Sequence, residues 1–175
     1  MVKKGARNLV LLSRSEASDK QKTVINELEN QKVQVRVARV DICDFKELEQ
    51  VFEYIDRKTA PIKGIIHAAG VLDDELLQTM TDQSLNLVMK PKVDGTWNLH
   101  RLSQNLSLDF FACFSSFNSL LGSPGQGNYA AANAFMDGLV YYRQQLGLPG
   151  LSINWGPWAD AGLSLIHISE PTRPY

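Results

Sequence analysis

Apolar and polar positions follow two alternating periods along this chain. Asn8 to Ser13 reads NLVLLS, an unbroken apolar run of strand length that predicts a strand covered on both faces. Ser18 to Asn30 is polar, with Val24, Ile25 and Leu28 on one side of a predicted helix. Val33 to Ile42 is rich in β-branched residues and alternates, which predicts a second strand. Asp44 is a good helix N-cap, and Leu48, Val51, Phe52 and Ile55 form the apolar stripe of a helix reaching about Lys58. Ile62 to Ala69 predicts a third strand ending in small residues. Thr81 to Met89 and Val93 to Asn105 predict two helices broken at Pro91. A fourth strand at Phe110 to Ser115, a glycine-rich turn at Gly122 to Gly127, a helix from about Tyr129 to Leu146 and a fifth strand at Leu151 to Trp155 complete the pattern.

Strands alternating with helices at these spacings predict an α/β fold, a doubly wound parallel sheet covered by helices. Right-handed crossovers place the C-terminal ends of all strands on one edge, where such sheets bind ligands. Ser13-Arg14, Asp41, Ala68 to Gly70, Ser115-Ser116 and Asn154 all fall at predicted strand ends.

Composition narrows the function classes. The chain has 175 residues, enough for one domain; 44% are apolar and 21% charged, and the formal net charge is −1. Basic and acidic residues are interspersed, so neither nucleic acid nor an anionic membrane surface is an expected partner. No apolar run approaches the roughly 20 residues that span a bilayer, and Met1 to Gly5 has no signal-peptide core. Cys43 and Cys113 show no metal-site or disulfide spacing and read as reduced thiols in the cytoplasm. Ser164 to Tyr175 (SLIHISEPTRPY) has neither period and reads like a translated adapter sequence. His167, Glu170 and Arg173 are therefore kept out of the site, and residues 1–163 are taken as the domain.

The chemistry lies in a spacing. Tyr129 and Asn133 are four apart and share a helix face, and Ser116 ends the preceding strand. A tyrosine, with an unperturbed pKa of about 10, needs a nearby cation to release a proton readily at neutral pH. Lys92, at the start of the second predicted helix of the Pro91 pair, is the candidate. A serine hydroxyl at Ser116 would hydrogen-bond and orient a substrate carbonyl oxygen.

The stretch FSSFNSLLGSPGQGNYAAANAF (Phe114 to Phe135) resembles the active-site segment of polyketide synthase ketoreductases, of the short-chain dehydrogenase/reductase superfamily. GARNLVLLSRS, GIIHAAGVLDDELL, PKVDGTWNLH and LSINWGPWADAGL match further pieces in order, so the resemblance covers roughly residues 2–163. Most of the superfamily carries Tyr-x-x-x-Lys; Asn133 in the lysine position, with Lys92 upstream, is similar to the ketoreductase arrangement.

The resemblance implies NADPH-dependent reduction of a β-ketoacyl thioester on an acyl carrier protein, beside neighbouring synthase domains. It implies that Tyr129 donates the proton, Ser116 positions the oxygen, and Lys92 and Asn133 tune Tyr129, hold the nicotinamide ribose and organise a relay water. For the cofactor it implies Ser13 and Arg14 near the 2′-phosphate, Asp41 and Ile42 beside the adenine, and Ala68, Ala69 and Gly70 where the backbone approaches closely. Gly156 and Pro157 match a turn near the nicotinamide amide.

Arg14 to Ser18 contains no glycine, so Asn8 to Ser13 corresponds to the second strand of the family fold. The first strand and its glycine-rich loop are then missing from the sheet, and the isolated polypeptide is expected to be inactive. A free-standing reductase of small alcohols and ketones, or a non-catalytic structural ketoreductase-like subdomain, are the competing readings. His67 reads as a packed, hydrogen-bonded histidine, Trp155 and Trp158 as packing residues, and Asp73-Asp74 as a helix cap or solvated face; VLDD also resembles a family pattern linked with one stereochemical course.

Overall fold

Among the described residues, ten regular elements follow one another in the order the sequence predicts, with one helix fused and one added. The structure, a computed structural model, describes residues 1–157. In chain order they are β1 (Asn8–Ser13), α1 (Asp19–Asn30), β2 (Gln34–Arg39), α2 (Phe45–Lys58), β3 (Gly64–His67), α3 (Asp82–Ser103), β4 (Phe110–Ser116), α4 (Asn118–Leu121), α5 (Gly127–Gln145) and β5 (Leu151–Trp155). A single 3₁₀ turn, Val2–Lys4, precedes them. The tail Ser164 to Tyr175, and Trp158, lie outside the described residues. No helix among the described residues is long and apolar enough to cross a membrane.

The chain divides into two compact units. The first comprises Met1–Gly64 and Asp94–Asp109. Its sheet is the parallel pair β1–β2, registered from Asn8↔Gln34 to Ser13↔Arg39. Helix α1 starts in a capping box, in which Ser18 Oγ accepts from Gln21 N–H while the Gln21 side chain accepts from Ser18 N–H. Asp44 caps α2 by accepting from the N–H groups of Lys46 and Glu47 at 2.9 and 3.0 Å. Helix α2 buries Leu48 and Ile55. The expectation that β1 is covered on both faces fails, since Leu11 is 41% exposed. A sheet two strands wide is too narrow for two helical layers to seal.

The second unit comprises Ile65–Val93 and, among the described residues, 110–157. Its parallel sheet runs β3-β4-β5, with β4 and β5 registered from Ala112↔Leu151 to Ser116↔Trp155. Strand β4 is central, and Phe111, Cys113, Ala132, Met136 and Leu139 of β4 and α5 are buried. The buried Arg143 guanidinium lies 3.9 Å from the Phe111 ring centroid, and its Nε donates to the Pro149 carbonyl.

Two helices were expected around Pro91; the structure has one, α3, with Pro91 inside it. An internal proline forfeits one main-chain bond and crowds the preceding turn. Burial of Val88 and Pro91 offsets that cost here, and the Pro91 carbonyl accepts from His67 Nε2 at 3.0 Å. Lys92 accordingly sits mid-helix, not at a helix start. Strand β3 closes at His67, so Ala68 to Gly70 follow it as irregular chain.

Candidate active site

The second unit gathers the four predicted catalytic residues. Ser116 is the last residue of β4, and its Oγ accepts from the Asn118 N–H at 3.3 Å where the chain turns into α4. Tyr129 lies in the first turn of α5 and Asn133 one turn on, with Asn133 Nδ2 donating to the Tyr129 carbonyl at 2.7 Å. Asn133 is fully buried, yet its Oδ1 has no hydrogen-bond partner. Ser115 Oγ, buried between β4 and α5, donates to the Asn133 carbonyl at 3.4 Å. Lys92 is 3% exposed; its Nζ donates to the Phe114 carbonyl at 3.1 Å and lies 5.6 Å from the Tyr129 ring centroid.

Burial sets the electrostatics. Desolvation pushes the Lys92 ammonium down to about 8, against the opposing influence of Cys113 and Asp137. Burial, then the charge of Lys92, holds His67 down at about 4, so it is a neutral imidazole that donates from Nε2. Cys113 and Cys43 are both pushed up to about 12, chiefly by burial, and are neutral thiols at pH 7. A buried ammonium that is still mostly protonated at pH 7, beside a phenol, can stabilise the negative charge left when that phenol gives up its proton.

Sequence reasoning missed the strap that holds this corner. Asp74 Oδ2 accepts from Gln126 Nε2 at 2.8 Å, and Asn118 Nδ2 donates to Gln126 Oε1 at 2.5 Å. Asn128 Nδ2 donates to the Asp73 carbonyl at 2.8 Å, and its Oδ1 accepts from the Tyr129 N–H at 2.7 Å. The Asp73-Asp74 pair is not a helix cap; Asp74 is exposed, as on a solvated face, but the pair also makes these bonds. It anchors the turn before Tyr129, and the amides Gln126 and Asn128 flanking Gly127 were the available signal. Trp155, placed among the packing residues, is only partly covered and lies against Phe114, with centroids 5.4 Å apart.

The predicted cofactor residues fall in both units, and each set stands at strand ends. In the second unit Ala68, Ala69 and Gly70 follow β3. A Cβ on Gly70 would fall 3.0 Å from Lys92 Cε and 3.5 Å from its Nζ, so a larger residue would displace the ammonium. In the first unit Ser13 closes β1 and its Oγ accepts from the Ser15 N–H. Arg14 follows, exposed, with its carbonyl accepting from Arg39 Nε at 3.2 Å. Asp41 Oδ1 accepts from the Cys43 N–H at 2.9 Å; the Ile42 carbonyl accepts from Asn98 Nδ2 at 3.0 Å, and Gly95 packs against its side chain. A cavity of about 320 Å³ at β2 and α2, lined by Arg36, Arg39, Glu47 and Tyr54 among others, includes none of the predicted site residues. No cluster of three or more metal-ligating side chains exists among the described residues.

Comparison with known proteins places this geometry in a family. Residues 1–160 match the KR domain family. Among relatives, Pks1 of Mycobacterium tuberculosis, a phenolphthiocerol-synthesis type I polyketide synthase described as inactive, is 41% identical over 167 residues, 95% of this chain and 10% of the relative. Polyketide synthase GfsE of Streptomyces halstedii is 44% identical over 156 residues, covering 89% of this chain and 4% of its own length. The chain thus spans a tenth or less of these curated relatives. Among solved structures, a ketoreductase domain from the bacillaene assembly line is 32% identical with a TM-score of 0.87, over 92% of this chain and 40% of that one. An N-terminal ketoreductase from the macrolactin assembly line is 38% identical with a TM-score of 0.81, over 86% and 32%. A short-chain dehydrogenase from Mycobacterium avium, 18% identical with a TM-score of 0.73 over 87% of this chain and 59% of its own, shares the fold.

Proposed function

Because this chain belongs to the KR-domain family, the ketoreductases of polyketide synthases, we propose that it supplies the catalytic corner of an NADPH-dependent reductase of β-ketoacyl thioesters. The substrate is carried on an acyl carrier protein, the product is the β-hydroxyacyl thioester, and the protein works in the cytoplasm beside neighbouring synthase domains. Residues 1–163 form part of a ketoreductase catalytic subdomain, with 164–175 outside it. The observation that carries this reading is the gathering of Lys92, Ser116, Tyr129 and Asn133 within one compact unit.

The residues present fit a dinucleotide. Gly70 leaves no side chain between the backbone and Lys92, and Asn133 Oδ1 is a buried acceptor without a partner. Arg14 is an exposed guanidinium at a parallel strand end, suited to a 2′-phosphate. Ser13 would assist it, Asp41 and Ile42 would flank the adenine, and Ala68 to Gly70 would admit the dinucleotide backbone. NADPH, when bound, supplies the hydride that adds to the carbonyl carbon. Ser116 Oγ orients the carbonyl oxygen, and Tyr129 transfers its phenolic proton to that oxygen as negative charge develops there. Lys92 stabilises the resulting phenolate, and Asn133 Oδ1 holds the water through which the proton is replaced.

The test is NADPH consumption with a β-ketoacyl thioester, in a polyketide synthase ketoreductase domain that carries this chain. Tyr129→Phe is expected to lower kcat by about 10²–10⁴-fold with NADPH binding retained. An unchanged rate in that variant overturns the mechanism. Activity confined to small alcohols would support a free-standing reductase, and no activity in the parent protein a bracing role.

A further inference from the structure

Two turns along α5 from Tyr129 lies Asp137, a half-buried carboxylate with no part in the mechanism above. Its Oδ1 accepts from Ser152 Oγ of β5. Its Oδ2 accepts from Ser119 Oγ of α4 at 2.6 Å and from Asn154 Nδ2 of β5 at 3.0 Å. The Asn154 amide also lies 3.2 Å from the Ser116 carbonyl and 2.8 Å from Ser119 Oγ. One carboxylate thus gathers α4 and β5 behind the strand end that carries Ser116. Ser152, Ser119 and Asn154 are all neutral donors. Burial alone would raise its pKa, but hydrogen bonds from Ser119, Ser152, Asn154 and Ser115 outweigh it and hold the carboxyl below its ordinary range.

We infer that Asp137 is a positioning residue for the reduction: through Asn154 and Ser119 it fixes the Ser116 strand end, and with it the hydroxyl that receives the substrate oxygen, relative to Tyr129 and Lys92. The inference rests on the catalytic reading given above. A purely structural tie between helix and strand would need one of these bonds; the arrangement has three, and two of them run to side chains that border Ser116. The charge has a second consequence. Lys92 is faced by His67 of β3, Cys113 of β4, and Tyr129 and Asp137 of α5. His67 and Cys113 are uncharged at pH 7. Ionised Asp137 therefore favours the ammonium that burial disfavours.

The test uses the complete protein and follows NADPH-dependent reduction of a β-ketoacyl thioester from pH 6 to 10. Asp137→Asn keeps the shape and removes the charge and one acceptor. It is expected to lower kcat about tenfold or more with the KM for NADPH little changed, and to move the alkaline limb of kcat to lower pH. Ser152→Ala removes one tether but keeps the charge and the Asn154 bridge, and its alkaline limb is expected at the parent position. An Asp137→Asn enzyme with parental kcat and parental alkaline limb overturns the inference. So does a kcat loss that tracks melting temperature alike in both variants with neither limb moved. If Asp137→Asn does not fold, Asn154→Ala cuts the same bridge from the strand side, and parental kcat there overturns the inference equally. Tyr129→Phe run in parallel separates the two failures, since full activity in it sinks the catalytic reading itself.

Discussion

Replacing Lys92 with methionine should separate what this residue costs the fold from what it gives the chemistry. The side chain is 3% exposed, its Nζ donates to the Phe114 carbonyl, and burial lowers its pKa from 10.5 to about 8. At about 1.4 kcal/mol per pH unit, that difference corresponds to a penalty of about 3 kcal/mol for holding the ammonium in the folded state. The sign follows from proton binding. Between pH 8 and 10.5 the unfolded chain keeps the proton and the folded chain has lost it, so stability rises with pH across this window. Below about pH 8 both forms are protonated and the penalty is fully present. Methionine preserves the stem and removes the penalty, but it takes a donor from a buried carbonyl, which costs about 1–3 kcal/mol. The two nearly cancel at neutral pH, so Lys92→Met should be about as stable as the parent at pH 7. At pH 10 it should have lost roughly 2–3 kcal/mol relative to the parent. Urea denaturation of both proteins at the two pH values measures that double difference, in which other titrating groups cancel. A double difference under about 1 kcal/mol would show that Lys92 titrates as a solvated amine, and the reasoning from burial would fail. Activity should disappear in the same variant at both pH values, although its stability at pH 7 is intact.

Three further outcomes are expected. Arg14→Ala should weaken NADPH binding about 10–100-fold and leave NADH nearly unaffected, measured by fluorescence titration; equal losses for the two cofactors would remove the 2′-phosphate from Arg14. His67 is held near 4 by burial and by Lys92, so the folded state prefers neutral imidazole and loses stability as pH falls from 6.5 towards 4. His67→Gln, which keeps a donor for the Pro91 carbonyl, should escape about 3 kcal/mol of that acid loss in urea melts; an identical acid dependence in both proteins refutes it. Phe111→Ala empties a fully buried position beneath Arg143 and should cost about 3–5 kcal/mol in the same assay; a loss below 1 kcal/mol would contradict a central β4.

What the chain's pattern made legible, and what it hid, divides along physical lines. Strands were legible because a short apolar run between turn residues has few alternatives, and β1, β4 and β5 begin and end within one residue of expectation. Helix α3 was misread because Pro91 is a strong local signal, whereas the burial of Val88 and Pro91 that overrides it is tertiary and has no local signature. Helix α4 is four residues long, too short to show a period, and its Leu120 and Leu121 are exposed. Tyr129 and Asn133 were legible because one helix face joins them; Lys92 entered only as the cation that a proton-donating tyrosine needs, with the resemblance supporting it, since no spacing rule links it to a tyrosine on another element.

Asp137 illustrates the remaining blind spot. On sequence it is one acidic residue in a helix, which is most simply a solvated side chain. Its meaning arrives only when β5 brings Ser152 and Asn154 alongside and α4 brings Ser119. The strongest electrostatic feature of the corner is built the same way. Lys92 is costly because it is buried, and Asp137, which favours its charge, stands on another element. A fold optimised for stability alone would place an apolar side chain at position 92 and leave position 137 to solvent. That this chain instead keeps a buried ammonium against a tyrosine, favoured by a carboxylate tied to three neighbours, is the physical argument for catalysis over a bracing role. A structural copy would have no need of either charge.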